Sequence, residues 1–353
     1  MPPKVSICLP NLNNRRFLPE RLDSILSQTF QDWELVIVDS YSDDGAWELL
    51  QEYAAKEPRI RLFQAPREGI YAGFNACIRL AHGEYIYIAT SDDTMRSDCL
   101  EKMVKALDSN RDCNLCQCGL VFIDEKSQPL PPDKQWNQFG ACNYFKLWLE
   151  KYHKRLAPHD GILHFAVNTV YTSVTQLLIR KRVFDEIGYF ETCWGPMGDF
   201  EWGMRASLLY NTVYLPEYLA TWRKHSAQAT TNPYTPKNLN NLLRMAHHAL
   251  KIAKKLNPKK VKGISFSELA FEYEMAMVTV GINERKQVIA KLIYLFHCLF
   301  KIPKTVTYYI LNKIFYSNKN KDSSINWITS KIINLGVSGP IEINITQLNE
   351  NLK

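Results

Sequence analysis

VSICLPNLNNRRFLPERLDSILSQTFQDWELVIVD, Val5 to Asp39, sets two short apolar runs around a stretch whose apolar residues recur at helical spacing. VSICLP (Val5–Pro10) and ELVIVD (Glu34–Asp39) read as strands buried on both faces, as in a parallel sheet, and FLPERLDSILSQ reads as the helix between them. RIRLFQ (Arg59–Gln64) and EYIYIAT (Glu84–Thr90) continue the alternation, preceded by the helical patterns AWELLQEYAAK and AGFNACIRLAHG, the second closed by Gly83. The expected fold class is α/β: a doubly wound, mostly parallel sheet flanked by helices, with its ligand crevice at the carboxyl ends of the strands.

The polar residues at those strand ends should therefore converge: Asn11 and Asn13, then Asp39, then Arg67 and Glu68, then Ser91, Asp92 and Asp93. No GxGxxG or GxxxxGK[ST] stands at any of these turns, which argues against a dinucleotide-binding dehydrogenase and a P-loop NTPase. Farther along, SQPLPPDK reads as an exposed loop, and Trp136 to Tyr171 is aromatic-rich without a clear period. Thr175 to Ile179 reads as a strand leading into a short helix that ends at Gly188. GDFEWGMRASLLY is expected to be helical, and TVYLPEYLATWRKH to form two short strands broken around Pro216.

Past Pro236 the periods become helical. The segment KQVIAKLIYLFHCLFKIPKTVTYYILNKIFYS is apolar but interrupted by Lys291, Lys301, Pro303, Lys304 and Lys313, so no run reaches the roughly 18 apolar residues of a spanning helix. Lys286 to Ser317 fits a basic amphipathic segment on an anionic membrane surface, and equally a helical cap packed on the preceding domain. The expected division is residues 1–235 as the catalytic domain and 236–353 as a mainly helical C-terminal region.

A chain of 353 residues with 46% apolar side chains can bury a sizeable core. Its net charge of +7 comes with lysines gathered after Lys237, which points to an anionic surface there; no nucleic-acid-reading motif accompanies them, so nucleic acid is not the expected partner. Nine cysteines, an odd number with no amino-terminal signal pattern, suggest reduced thiols in the cytoplasm. Cys113, Cys116 and Cys118 lack a second ligand pair at zinc-site spacing and read as core thiols.

The order of segments resembles glycosyltransferase family 2, the inverting nucleotide-sugar-dependent enzymes of the GT-A fold. VSICLPNLN resembles its opening strand and polar turn, VIVDSYSDDG its second strand, REGIYAGFNACIRLAHGEYIYIATSDD its long central signature, and GDFEWGMR its acceptor-side acid, the whole covering Lys4 to His225. The resemblance implies a metal-dependent enzyme that moves a sugar from a nucleotide-sugar, a UDP-sugar, to a hydroxyl of a saccharide or lipid-linked saccharide in surface polysaccharide biosynthesis. The expected place of work is the cytoplasm, with the lysine-studded segment Lys286 to Ser317 placing the chain peripherally on the inner face of the cytoplasmic membrane.

By the same resemblance Asp39 reads the uracil, and Asp92 takes the last position of the DxD-like motif as ligand to a divalent cation, Mn2+ or Mg2+. Asp93 adds a water-mediated or outer contact. Thr90 stands where the motif's first acid would be, so the diphosphate is expected to hold much of the metal. Asn11, Gly69, Asn75 and Ser91 are donor-site candidates; Gly69 admits close backbone approach, while Asn75 equally reads as a helix residue satisfying a loop. His225 lies where some relatives place a residue near the metal, and Arg223 and Lys224 are alternative diphosphate contacts. Trp194 and Trp202 offer sugar-stacking surfaces. Asp199 is the expected catalytic base, with Glu201 as local rival and a helix cap as the plainer reading. The rivals are a nucleotidyltransferase, whose glycine-rich amino-terminal loop VSICLPNLNNRRF lacks, and a catalytically inactive relative acting as a binding subunit.

Overall fold

The computed structural model describes residues 2–138, 140–167, 169–226, 236–315 and 323–343. Strands β1 (Val5–Asn11), β2 (Trp33–Asp39), β3 (Ile60–Gln64) and β4 (Tyr85–Ile88) alternate with helices α1 (Leu18–Leu26), α2 (Ala46–Lys56), α3 (Ile70–Leu80) and α4 (Cys99–Ser109). There follow β5 (Cys113–Ile123), α5 (Cys142–Phe145), β6 (His153–Arg155), α6 (His159–Val167), β7 (Leu177–Arg180), α7 (Arg182–Ile187), α8 (Gly198–Leu209) and β8 (Asn211–Arg223). Helices α9 (Pro236–Leu256), α10 (Phe266–Asn283), α11 (Val288–Lys301), α12 (Pro303–Phe315) and α13 (Ser323–Asn334) precede β9 (Ile341–Glu342).

One sheet carries the strands in the order β3-β2-β1-β4-β7-β5-β8-β6-β9. β1, β2, β3 and β4 are parallel, β7 runs against both β4 and β5, and β5 and β8 are again parallel. The carboxyl ends of β1, β2, β4, β5 and β8 therefore share one edge. Every residue of β2 is buried, as its unbroken apolar run requires of a strand covered on both faces. α1 opens with Pro19 in its first turn and turns Leu18, Leu22 and Ile25 inward at helical spacing.

Two expectations need correction. TVYLPEYLATWRKH is one strand, not two: β8 stays paired with β5 through a bulge in which Leu215 faces Cys118 and Tyr218 faces Gly119. Pro216 sits in the bulge, where its missing N–H costs no ladder bond, and Gly119 makes room because a side chain there would stand 3.2 Å from the Glu217 carbonyl. The strand expected at Thr175–Ile179 begins later, at Leu177. Val174–Gln176 form a 3-10 turn capped by Ser173, whose hydroxyl accepts from the Thr175 N–H while Gln176 reaches back. Cys113, Cys116 and Cys118 are buried on β5, in keeping with core thiols.

The C-terminal helices build on the same core. Met245, Leu269, Tyr273 and Tyr294 join Val36, Phe74 and Trp202 in one apolar cluster, and β9 extends the sheet beside β6. The expected boundary at 235/236 adjoins residues 227–235, which lie outside the described residues, as do Tyr316 and Ser317 at the end of the lysine-studded segment. α11 packs inward through Tyr294 and Cys298 while most of its other apolar side chains stay exposed. No helix among the described residues is long and apolar enough to cross a membrane.

Candidate active site

The register of the sheet starts the site. Asn11 pairs with Asp39 at the ends of β1 and β2, and the Asn11 amide donates to Asp39 Oδ1 at 2.8 Å. Asp39 is fully buried; its Oδ1 also accepts from the Ser42 hydroxyl at 2.6 Å and its Oδ2 from the Ser42 N–H at 2.9 Å. The two turns behind these strands are tied together. Asn13, held at a positive φ, donates its amide to Asp43 Oδ1 and accepts through Oδ1 from the Asp43 N–H, and Arg67, after β3, donates to the Ser40 carbonyl and to Asp43. Asn11 Oδ1 is buried without a hydrogen-bond partner among the described residues, an acceptor left open beside the crevice.

The turn after β4 joins this group through Asn14, which donates to the Ser91 hydroxyl at 2.8 Å. Asp92 is partly exposed, and its Oδ2 lies 2.9 Å from His225 Nε2, brought over by the end of β8. The His225 ring packs 5.1 Å from Phe17, with Nδ1 3.5 Å from Arg16. Asp93 points the other way. It is buried, accepting from Thr90 and from the Arg223 N–H, and burial together with the neighbouring Asp92 charge pushes its carboxyl up to about 7. With both oxygens engaged, Asp93 fastens the turn to β8 rather than facing a ligand. Neither aspartate caps the next helix, because α4 begins only at Cys99.

Arg223 is not available to a diphosphate. Its buried guanidinium donates to the Asp92 and Asp124 carbonyls, to Ser127 and to Glu20 at the start of α1. Lys224 lies 3.1 Å over the Trp222 ring, and burial lowers its ammonium to about 8.

A family-type cation would need Asp92 and His225, since no cluster of three or more His, Cys, Asp or Glu forms among the described residues. A carboxylate and an imidazole facing each other at hydrogen-bond distance fit a site with two protein ligands, the rest coming from the donor and water.

The second half of the site lies at the start of α8. Asp199 is half-buried in the first turn, where its Oδ1 accepts from the Tyr71 hydroxyl at 2.7 Å and from the Phe200 N–H at 2.8 Å. Burial raises its carboxyl above the ordinary value, and the Tyr71 hydrogen bond works against that rise. Oδ2 has no hydrogen bond among the described residues. Tyr71 comes from α3, whose cap Gly69 has φ +94° and nothing within 4 Å of where a side chain would begin, leaving open space beside the helix terminus.

Glu201 is engaged otherwise: it is buried, with its oxygens on Arg205 and His248 Nδ1 at 2.8 and 2.9 Å. Asn75 spends its amide on both backbone groups of Phe190. Trp202 is a core residue stacked 4.8 Å from Phe184, not a sugar platform, and the partly buried Trp194 packs beside His248. Asn14, Ser42 and Tyr71 are the residues that sequence reasoning missed. Ser42, three residues after Asp39, carried the local signal of an aspartate turn.

The family model described as "Glycosyl transferase family 2" matches residues 6–188, slightly more than half the chain. A putative teichuronic acid biosynthesis glycosyltransferase, TuaG of Bacillus subtilis, is 30% identical over 129 residues, 36% of this chain and 51% of the relative. An uncharacterized glycosyltransferase of Methanocaldococcus jannaschii is 34% identical over 188 residues, 52% of this chain and 63% of the relative. The chain thus spans between about half and under two thirds of the length of these curated relatives. Among solved structures, S. aureus TarS 1-349 in complex with UDP superposes with TM-score 0.60 at 14% identity, covering 94% of this chain and 88% of that one. The mannosyltransferase PcManGT of Pyrobaculum calidifontis, in complex with GDP-Man and Mn2+, gives TM-score 0.52 at 15% identity over 95% and 87% of the two chains. At such identity these likenesses show the fold, the GT-A type of nucleotide-sugar enzyme.

Proposed function

The chain belongs to glycosyl transferase family 2, and from that premise we propose that it moves a sugar from a UDP-sugar to an acceptor hydroxyl with inversion at the anomeric carbon. The observation that carries the reading is the pairing of Asp92 with His225 at the shared strand edge, on the same sheet end as Asp39, while Tyr71 holds Asp199 at the start of α8. Asn11 and Asp39 would meet the base; opening the Ser42 contacts frees the Asp39 carboxylate to accept from the uracil N–H. Ser91 and the open space at Gly69 would lie along the donor.

Asp92 and His225 would hold Mn2+ or Mg2+ together with the diphosphate, and when bound the cation neutralises charge on that leaving group. Asp199 takes the proton of the acceptor hydroxyl as that oxygen bonds to the anomeric carbon and the bond from that carbon to the diphosphate oxygen breaks. Tyr71 fixes one carboxylate oxygen so that Oδ2 faces the incoming hydroxyl. The acceptor is a lipid-linked saccharide of a surface polysaccharide at the cytoplasmic face of the membrane, a reading supported by the relative named for teichuronic acid biosynthesis.

Hydrolysis and transfer across a panel of nucleotide-sugars, with and without Mn2+, test the proposal. Metal-dependent turnover of a UDP-sugar is expected. UDP binding without turnover of any donor on any acceptor would replace the enzyme with a binding subunit.

A further inference from the structure

We propose that the outer face of α11 and α12 docks the protein onto an anionic lipid bilayer. α11 is apolar on two opposite sides. Its inner side is anchored: Tyr294 packs against Gly281 of α10 and donates to the Met277 carbonyl, and Cys298 is fully buried. Its outer side carries Ile289, Leu292, Phe296 and Phe300 at intervals of three and four residues, exposed by 71%, 60%, 60% and 74%, a continuous stripe along one helix face. After the Ile302–Pro303 turn, α12 adds Leu311 and Ile314, also exposed. A water-facing apolar stripe of this length needs a partner.

Charge selects the partner. From Arg285 to Phe315 the chain has no Asp or Glu, while Lys286, just ahead of α11, and Lys301, Lys304 and Lys313 on the two helices stand exposed. Apolar side chains ringed by ammonium groups match the boundary between acyl chains and acidic headgroups, where the rings and aliphatic chains enter and the lysines stay in the headgroup layer. Two copies meeting through this face would bring like charges together across a twofold axis, which disfavours self-association. Spanning is excluded by length: the 14 residues of α11 reach about 21 Å, against a hydrocarbon core of about 30 Å. The inference deepens the proposed function, and it rests on that reading for its purpose, which is to bring the active site to a lipid-linked acceptor.

The test is sedimentation of the full chain with vesicles of phosphatidylcholine alone or mixed with phosphatidylglycerol, run beside UDP binding by calorimetry with Mn2+. Binding to the mixed vesicles, weak binding to the neutral ones, and release by salt are expected. The triple variant Leu292→Glu, Phe296→Glu, Phe300→Glu and the charge variant Lys286→Glu, Lys301→Glu, Lys304→Glu should each bind the mixed vesicles at least about 10-fold more weakly with UDP binding kept. Retained UDP binding also shows that the variants fold. The proposal is overturned if the wild-type chain stays in the supernatant, if both variants sediment like it, or if the chain is a dimer that the triple variant dissociates without any vesicle affinity. Loss of UDP binding by the wild-type chain would instead sink the donor assignment and leave the vesicle result standing.

Discussion

At the scale of the residue, the site is a set of carboxylates separated by environment. Asp39 is buried and satisfied, Asp92 is open beside His225, and Asp199 is raised by burial yet tempered by a hydroxyl donor. If Asp199 is the base, Asp199→Asn should slow transfer by roughly 10²- to 10⁴-fold while leaving UDP binding intact, as stopped-assay turnover and calorimetry would show. The sign of its pH dependence follows from the same contacts. Burial disfavours the charged form, so the acid limb of kcat/KM should lie above the ordinary aspartate range; Tyr71→Phe removes a donor that favours the charged form, so the limb should move to still higher pH. An unmoved limb would deny Tyr71 its positioning part. Asp92→Ala should abolish the Mn2+ dependence of UDP binding in calorimetry, and persistence of that dependence would shift the cation elsewhere. The positions of Asp39 and Asp92 were legible because strand ends flag them, and Asp199 was singled out by the resemblance of GDFEWGMR to the family's acceptor-side segment, its place at a helix start being the plainer reading. Tyr71 was not, since a tyrosine one residue into an apolar helix looks like packing until the chain brings α8 across to it.

At the scale of the element, the legible parts were those with a strong period. β1 to β4 and the helices between them follow from runs that only a doubly covered strand or an amphipathic helix can satisfy. β6, three residues long, is announced by no local pattern, and although a strand is legible near Thr175–Ile179, the antiparallel entry of β7 between β4 and β5 follows from tertiary pairing alone. The β8 bulge shows the same limit from the other side: Pro216 marks a local break, but a glycine almost a hundred residues earlier on β5 keeps the strand whole. Helix packing also decides where Asp199 stands. A side chain at Gly161 of α6 would begin 2.5 Å from the Leu208 Cδ2 and 2.8 Å from the Leu208 Cα of α8, so the glycine lets these helices approach closely. Gly161→Ala should force them apart, destabilising the fold by about 1–3 kcal/mol and, with Asp199 as the proposed base on the displaced helix, lowering turnover. Unchanged melting temperature and turnover would show that the contact is slack.

At the scale of the molecule, a buried polar network ties the strand next to the sheet's far edge to the helices beneath. Arg155 of β6 pairs with Asp160 of α6 at 3.0 Å, His159 bonds the same carboxylate, and His153 is sealed between the Trp148 and Tyr214 rings. Burial, reinforced by the Arg155 charge, lowers the His153 imidazole from 6.5 to about 3. The unfolded chain takes up that proton near pH 6.5 and the folded chain refuses it, so the contribution is whole above pH 6.5 and declines as pH falls toward 3, in total on the order of a few kcal/mol at about 1.4 kcal/mol per unit. Asp160 adds a later loss: burial pushes its carboxyl up, but Arg155 and His159 outweigh it and hold it well below 3.8, so its contribution fades only below that value. Glu272 of α10 acts in the opposite sense, because burial raises it to about 7 and its protonation favours the folded chain as pH drops through that range. Between pH 6.5 and 4.5 the His153 loss and the Glu272 gain are of similar size and opposite sign, and Asp93, raised to about 7, adds to the gain, so the melting temperature should not fall across that window and the His153 contribution shows by difference. His153→Phe keeps the ring between its neighbours and removes the proton site, so the variant's melting temperature should rise relative to the wild type as pH falls from 6.5 to 4.5. A variant that melts with the wild-type slope across that window would deny His153 that contribution.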